Sequence, residues 1–222
     1  MIFTYKSNKQ AAQNTLDELD KKGNHNTYQL DIREPEDVKS VFNEILSNYG
    51  RLDILINNAG VFIEHKITDV DYLEWQQCWN ETILTNLTGV SNLCYLASRH
   101  MIRNEVGKII NVSSRGAFRG EPNHPAYGAS KAGLNAFSQS LAQFLAPFNI
   151  TVGVVAPGFV ETDMASEILK SEAGDQIKKQ SPLNRVATAD EVARAIVLFS
   201  MEGLEYMTGG IIDINGASYL RT

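Results

Sequence analysis

Short apolar runs, each followed by a longer segment with helical spacing, recur along the chain. Most of the runs at residues 2–5, 27–30, 52–56, 108–112, 150–156 and 210–214 are rich in Ile and Val and nearly continuous rather than alternating. A strand buried on both faces reads this way, so the pattern predicts a parallel sheet covered on both sides. Residues 9–22, 36–49, 72–104, 126–147 and 189–201 predict the intervening helices. Strand and helix in alternation imply an α/β fold with a doubly wound sheet and helices on both faces. The stretch 72–104 exceeds an ordinary helix and predicts a break near residues 80–86. Pro147 marks the end of the fourth helix.

No repeat, low-complexity tract or Pro/Ser-rich linker interrupts this pattern, and 222 residues suit a single domain. Hydrophobic residues make up 43% and charged residues 21%, enough for a sizeable core. The net charge of −6 and pI near 5.3 argue against a nucleic-acid surface. Cys78 and Cys94 sit in helix-like sequence without paired spacing and read as reduced core thiols. The opening residues do not lead into a long apolar stretch, and no run reaches the ~18 residues of a membrane span. A cytoplasmic protein with no membrane partner is the expectation. Asn-x-Ser/Thr triplets at Asn80, Asn86, Asn111 and Asn149 then read as coincidences. The four histidines, His25, His65, His100 and His124, lack ligand spacing, and no metal site is expected.

The candidate chemistry lies in Ser114, Tyr127 and Lys131. Ser114 closes the strand-like run KIINVSS, which places its hydroxyl at the carboxyl rim where open α/β sheets bind ligands. Tyr127 and Lys131 are four apart in helix-like sequence and so share a face. A phenol with a pKa of ~10 exchanges protons poorly at neutral pH, and a neighbouring ammonium is expected to lower that value. Such a trio can hold a carbonyl oxygen and protonate it. Spacing alone is weak support, because Tyr5 and Lys9 have it too, without a serine and across a strand-to-helix boundary.

The wider pattern carries more. Asn57-Asn58-Ala59-Gly60, Asn86, Ser114, Tyr127-Gly128-Ala129-Ser130-Lys131 and Pro157-Gly158 resemble, in order and spacing, the short-chain dehydrogenase/reductase family, and the likeness runs from Ile2 to the end. The resemblance implies a Rossmann-like fold with Tyr127 as general acid/base. Lys131 lowers the Tyr127 pKa and binds the nicotinamide ribose, and Ser114 positions the substrate oxygen. Asn86 holds a water that relays protons to Lys131, or braces a helix kink, and the two roles are compatible. Asn58, Ala59 and Gly60 let the backbone approach the cofactor. Asp31 contacts the adenine, or caps the following helix. Pro157 and Gly158 form the turn beneath the nicotinamide, and Thr162 fixes its carboxamide.

Cofactor choice turns on the end of the first run, where Tyr5-Lys6-Ser7 carries no acid. A basic Lys6 suits a 2′-phosphate and favours NADP(H), with NAD(H) as the alternative. Residues 2–5 resemble the family's second strand. The first strand, the glycine-rich turn and the first helix, roughly 30 residues, are then expected to be missing, which leaves the domain incomplete and two inner sheet edges open. Within the family the chain most resembles 3-oxoacyl-[acyl-carrier-protein] reductases and small alcohol, sugar and steroid dehydrogenases. Carrier-protein reductases usually have arginines where Glu105 and Phe148 stand, although Arg103, Arg115 and Arg119 lie nearby. Residues 165–182 would cover the substrate. Three functions follow as expectations: an NADP(H)-dependent oxidoreductase acting on a small-molecule carbonyl or secondary alcohol, a 3-oxoacyl thioester reductase, or a non-catalytic remnant. By the same resemblance, helices at residues 87–104 and 126–147 would pair copies into a homodimer or homotetramer.

Overall fold

The computed structural model describes residues 1–20, 22–162 and 169–221. In chain order these form β1 (Ile2–Tyr5), α1 (Lys9–Glu18), β2 (Asn26–Gln29), α2 (Pro35–Tyr49), β3 (Ile54–Asn57), α3 (Tyr72–Ile83), a π turn (Leu84–Gly89) and α4 (Val90–Asn104). There follow β4 (Gly107–Val112), α5 (Gly116–Arg119), α6 (Pro125–Leu145), β5 (Ile150–Pro157), α7 (Glu172–Lys179), α8 (Ala189–Ser200) and β6 (Ile211–Ile214).

All pairings between these strands are parallel. Parity along β4 separates two cores: Ile109 packs with Val90, Cys94, Leu134 and Val152 beneath α2, α4 and α6. Ile110 packs with Val155, Val192, Ala195 and Phe199 beneath α8. Successive strand residues face opposite ways, so one strand builds both cores, as its continuous apolar run requires. The doubly wound reading therefore holds.

The strands form two sheets, β1–β2 and β3–β4–β5–β6. β1 and β3 each keep one edge without a strand partner, and on β3 Ile54 and Ile56 remain 39% and 47% exposed. The two pieces are joined through the helical layer, where Val38 and Phe42 of α2 pack in one cluster with Cys94 and Met101 of α4.

Local signals set most boundaries. Asn8 caps α1 through Ala11 N–H, Asp71 and Thr188 each form a capping box at α3 and α8, and Gly50 ends α2 at a φ of 72°. The break expected near residues 80–86 is the π turn, and Pro147 lies in a 3-10 turn (Ala146–Phe148) just past α6. α1 stops four residues short of its predicted end, because the chain turns extended at Leu19. The short α5 and the polar α7 were not anticipated, because neither has an apolar stripe long enough to register as a period. Cys94 is fully buried and its thiol is pushed up to about 12 by desolvation, as an inert core thiol should be. Asn86 and Asn111 are also fully buried, which removes both as glycosylation acceptors.

Candidate active site

Three elements meet at the carboxyl rim of the larger sheet: the end of β4, the amino end of α6 and the loop after β3. Ser114 lies two residues beyond β4, with its Oγ accepting from Gly116 N–H at 3.0 Å and close enough to Tyr127 to favour its ionised form. Tyr127 is in the first turn of α6, which begins at Pro125, a residue suited to that position because it has no N–H to satisfy. Lys131 follows one turn later, 4% exposed, and its Nζ donates to Val112 O at 2.8 Å while standing 5.8 Å from the Tyr127 ring centre.

The electrostatics depart from expectation. Burial raises the Tyr127 pKa; the Ser114 hydrogen bond acts against this, and the Glu121 charge adds to it. Burial also pulls the Lys131 pKa down, to about 8, while its ammonium donates to Val112 O. In this environment the phenol holds its proton at neutral pH, which suits donation to a developing alkoxide. Glu121 stands close to Ser114: a Cβ placed on Gly116 would lie 2.9 Å from Glu121 Cγ and 3.3 Å from Ser114 Oγ. Arg119 pairs with that carboxylate at 3.2 Å.

Asn86 sits in the π turn, fully buried, and its side chain braces the neighbouring loop and α6. Oδ1 accepts from Val61 N–H at 2.8 Å, and Nδ2 donates to Val61 O at 3.0 Å and Ser130 Oγ at 3.1 Å. It thereby pins the loop after β3, in which Asn58, Ala59 and Gly60 are exposed. Gly60 makes the close approach expected of it: an added Cβ would lie 3.3 Å from Asn86 Oδ1 and 3.5 Å from Lys131 Nζ. His65 was missed by the sequence reading. It is 1% exposed, and its Nε2 accepts from Ala126 N–H at 3.2 Å, so Nδ1 carries the proton donated to Ile63 O at 2.8 Å. It therefore caps α6 next to Tyr127, in a pairing that no spacing rule reveals. Asn57, Asn111 and Ser138 link β3, β4 and α6 through 2.8 Å bonds.

At the end of β5, Arg115 N–H donates to Pro157 O, and Gly158 N–H donates to Ile214 O, both at 2.9 Å. A Cβ on Gly158 would meet Asn215 Cα at 3.0 Å, so a side chain there would displace backbone. Thr162 is exposed. Of the segment expected to cover the substrate, residues 165–168 lie outside the described residues. At the other end of the rim, Lys6 Nζ stands 3.7 Å from Asp31 Oδ2, and Arg33 grips the same carboxylate at 2.6 Å. The Arg33 hydrogen bonds hold Asp31 down to about 2. Asp31 does not cap the next helix; Glu34 occupies that position. Arg33 is a second cation at this end that the sequence reading passed over.

The sequence matches a known family over nearly the whole chain. A family model described as enoyl-(acyl carrier protein) reductase matches residues 1–217. The chain belongs to the short-chain dehydrogenase/reductase family. As a member, it is a nicotinamide-dependent oxidoreductase acting on a small molecule. A 3-oxoacyl-[acyl-carrier-protein] reductase, FabG, of Staphylococcus aureus is 34% identical over 221 residues, covering 99% of this chain and 88% of the relative. The enzyme of that name from Aquifex aeolicus is 36% identical over 191 residues, 86% of this chain and 75% of its own. Among solved structures, ElxO with NADP bound superimposes with a TM-score of 0.88 at 27% identity, covering 98% of this chain and 87% of that one.

The residues present fit a nicotinamide cofactor. Gly60 brings backbone within reach of Lys131, and the buried Lys131 ammonium has no carboxylate partner among the described residues, leaving donors for ribose hydroxyls. Among the described residues, no group of three or more His, Cys, Asp or Glu side chains is placed to hold a metal, and no helix is long and apolar enough to cross a membrane.

Proposed function

We propose that this protein is an NADP(H)-dependent oxidoreductase that moves hydride between the nicotinamide and a carbonyl or secondary alcohol, with Tyr127 exchanging the proton on the substrate oxygen. The observation that carries this reading is the meeting of Ser114 and Tyr127 at the sheet rim, with the buried Lys131 one turn further along α6 and its Nζ 5.8 Å from the Tyr127 ring centre. In the reductive direction the cofactor supplies hydride to the carbonyl carbon. Ser114 holds the carbonyl oxygen, and Tyr127 gives it a proton as the C=O bond becomes an alcohol. Lys131 binds the ribose and offsets the charge left on the phenolate. Asn86 keeps Gly60 and Val61 in place against Lys131, and a water held at the π turn would return the proton from solvent. Pro157, Gly158 and Thr162 hold the nicotinamide, and Asn58, Ala59 and Gly60 face the adjoining ribose.

Lys6 and Arg33, flanking Asp31, favour the 2′-phosphate of NADP(H) over the hydroxyl of NAD(H). Titration of the protein with NADPH and NADH, read by cofactor fluorescence, is expected to show tighter binding of NADPH. Lys6→Glu should weaken NADPH about tenfold and leave NADH within about twofold, the scale of one exposed charge contact. Equal loss for both cofactors would remove Lys6 from the phosphate site. If neither cofactor binds, the non-catalytic reading takes over.

The FabG relatives support a second reading, reduction of a 3-oxoacyl thioester on a carrier protein. Against it, Glu105 and Phe148 occupy the positions expected to grip an acidic carrier. Reduction of acetoacetyl thioesters on carrier protein and on coenzyme A, compared at equal concentration, separates the two.

The protein works in the cytoplasm as a homodimer or homotetramer built on α4 and α6. Exposed aromatic residues on both helices, Tyr95 at 61% and Phe144 at 65%, support this assembly. Phe144→Asp is expected to halve the mass seen by light scattering, and an unchanged mass would direct the search for the interface elsewhere.

A further inference from the structure

Beside Tyr127 stands an aromatic pair that the proton-transfer chemistry does not use. Phe62, two residues past Gly60, lies flat against His124, with ring centres 3.6 Å apart and planes at 10°. It also meets the Tyr127 ring nearly at right angles, centre to centre 4.7 Å. One face of Phe62 is thus taken by His124, yet the residue remains 49% exposed. A half-open aromatic ring in contact with the proton donor is out of place as simple core packing.

The pair is held rigidly. Asn86 makes two hydrogen bonds to Val61, the residue before Phe62. On its other side His65 N–H donates to Asn123 O at 2.9 Å, and the His65 ring receives Ala126 N–H at 3.2 Å. His124 is itself the cap residue of α6. Loop and helix end are therefore tied at both flanks of the stack, and the open face of Phe62 is preorganised. The nearby cations are paired, Arg119 with Glu121 at 3.2 Å and Lys66 with Glu64 at 3.0 Å and Asp69 at 3.7 Å, so neither is free to bind an anionic substrate.

We propose that Phe62, backed by His124, is a specificity-determining residue that selects neutral carbonyl compounds bearing a flat, unsaturated group beside the carbonyl, such as aryl ketones and aldehydes. The open ring receives the planar substituent by stacking, and this directs the carbonyl oxygen toward Ser114 and Tyr127. The proposal rests on the reading of Tyr127 as proton donor.

The test compares NADPH-dependent reduction of acetophenone and 2-butanone by the wild type and by Phe62→Leu, Phe62→Ala and Phe62→Tyr. The ratio of kcat/KM for the aryl over the aliphatic ketone is expected to fall about tenfold in the Leu variant, the scale of one aromatic contact, and further in the Ala variant. Phe62→Tyr keeps the ring and should keep the ratio within about twofold. A parallel fall for both ketones, with an unchanged ratio, assigns Phe62 a purely structural role and overturns the proposal. Affinity is read separately by calorimetry of 1-phenylethanol and 2-butanol on the NADP-loaded protein. No preference for the aryl alcohol would also overturn it, whether or not either ketone is turned over. If Tyr127→Phe remained active while the aryl preference stayed with Phe62, the proton-donor assignment would fail and the specificity assignment would stand.

Discussion

Tyr127→Phe is expected to abolish measurable turnover, by about 10²–10⁴-fold in kcat, while NADPH binds with nearly its original affinity. The substitution removes one hydroxyl at the amino end of α6 and leaves the ring, and with it the edge contact with Phe62, in place. What is lost is the proton source for the substrate oxygen. The phenol's raised pKa gives the sign of its pH dependence. Reduction requires the protonated phenol, so the rate should persist through neutral pH and fall only on the alkaline side, as the hydroxyl ionises. Single-turnover NADPH oxidation across pH, with the variant beside the wild type, measures both effects. A variant that retains a tenth or more of the wild-type rate sinks the assignment.

Lys131→Met is expected to lower turnover by roughly 10²-fold and to weaken NADPH binding, because it removes the buried ammonium that the proposed mechanism places against the ribose and beside Tyr127. Its effect on stability should have the opposite sign. The Lys131 ammonium is buried without a carboxylate partner among the described residues and donates to Val112 O. Exchanging a poorly compensated buried charge for a side chain of similar volume is neutral or stabilising by about 1–4 kcal/mol. The donor lost by Val112 O costs about 1 kcal/mol, so the relief of desolvation wins. Linkage adds a second check. With the folded pKa near about 8 and the unfolded one near ~10.4, the unfolded chain binds more proton between those values. The wild type should then gain stability as pH rises through that window, and the Met variant should lack this gain. Urea unfolding at neutral pH and above pH ~9 tests it, since the stability gap between the two proteins should narrow at the higher pH. A gap that widens would mean that Lys131 is better compensated in the folded protein than its contacts indicate.

These two outcomes depend on different levels of the molecule. Where the candidate residues lie can be read from the sequence: Tyr127 and Lys131 share a helix face because they are four apart, and Ser114 reaches the rim because it ends a strand. How readily each gives up its proton cannot be read so. The sequence reading had the ammonium lowering the phenol's pKa, whereas burial dominates both groups in the folded chain. Desolvation is set by everything packed around a group, and that packing is contributed by β3, the π turn and α5 as much as by α6.

The chain's own order of residues determined the alternation of strand and helix, the two-sided burial of β4 and β5, the break after α3 and the shared helix face of Tyr127 and Lys131. All of these rest on periodicities of two to four residues that a short window contains. Tertiary structure alone decided that the strands divide into two sheets, that Asn86 holds Val61 and Ser130, that His65 caps a helix 61 residues away, and that Phe62 stacks on His124. Each is a contact between segments far apart in the chain. Its partner is chosen by the geometry of the packed layers, and no local propensity records that choice.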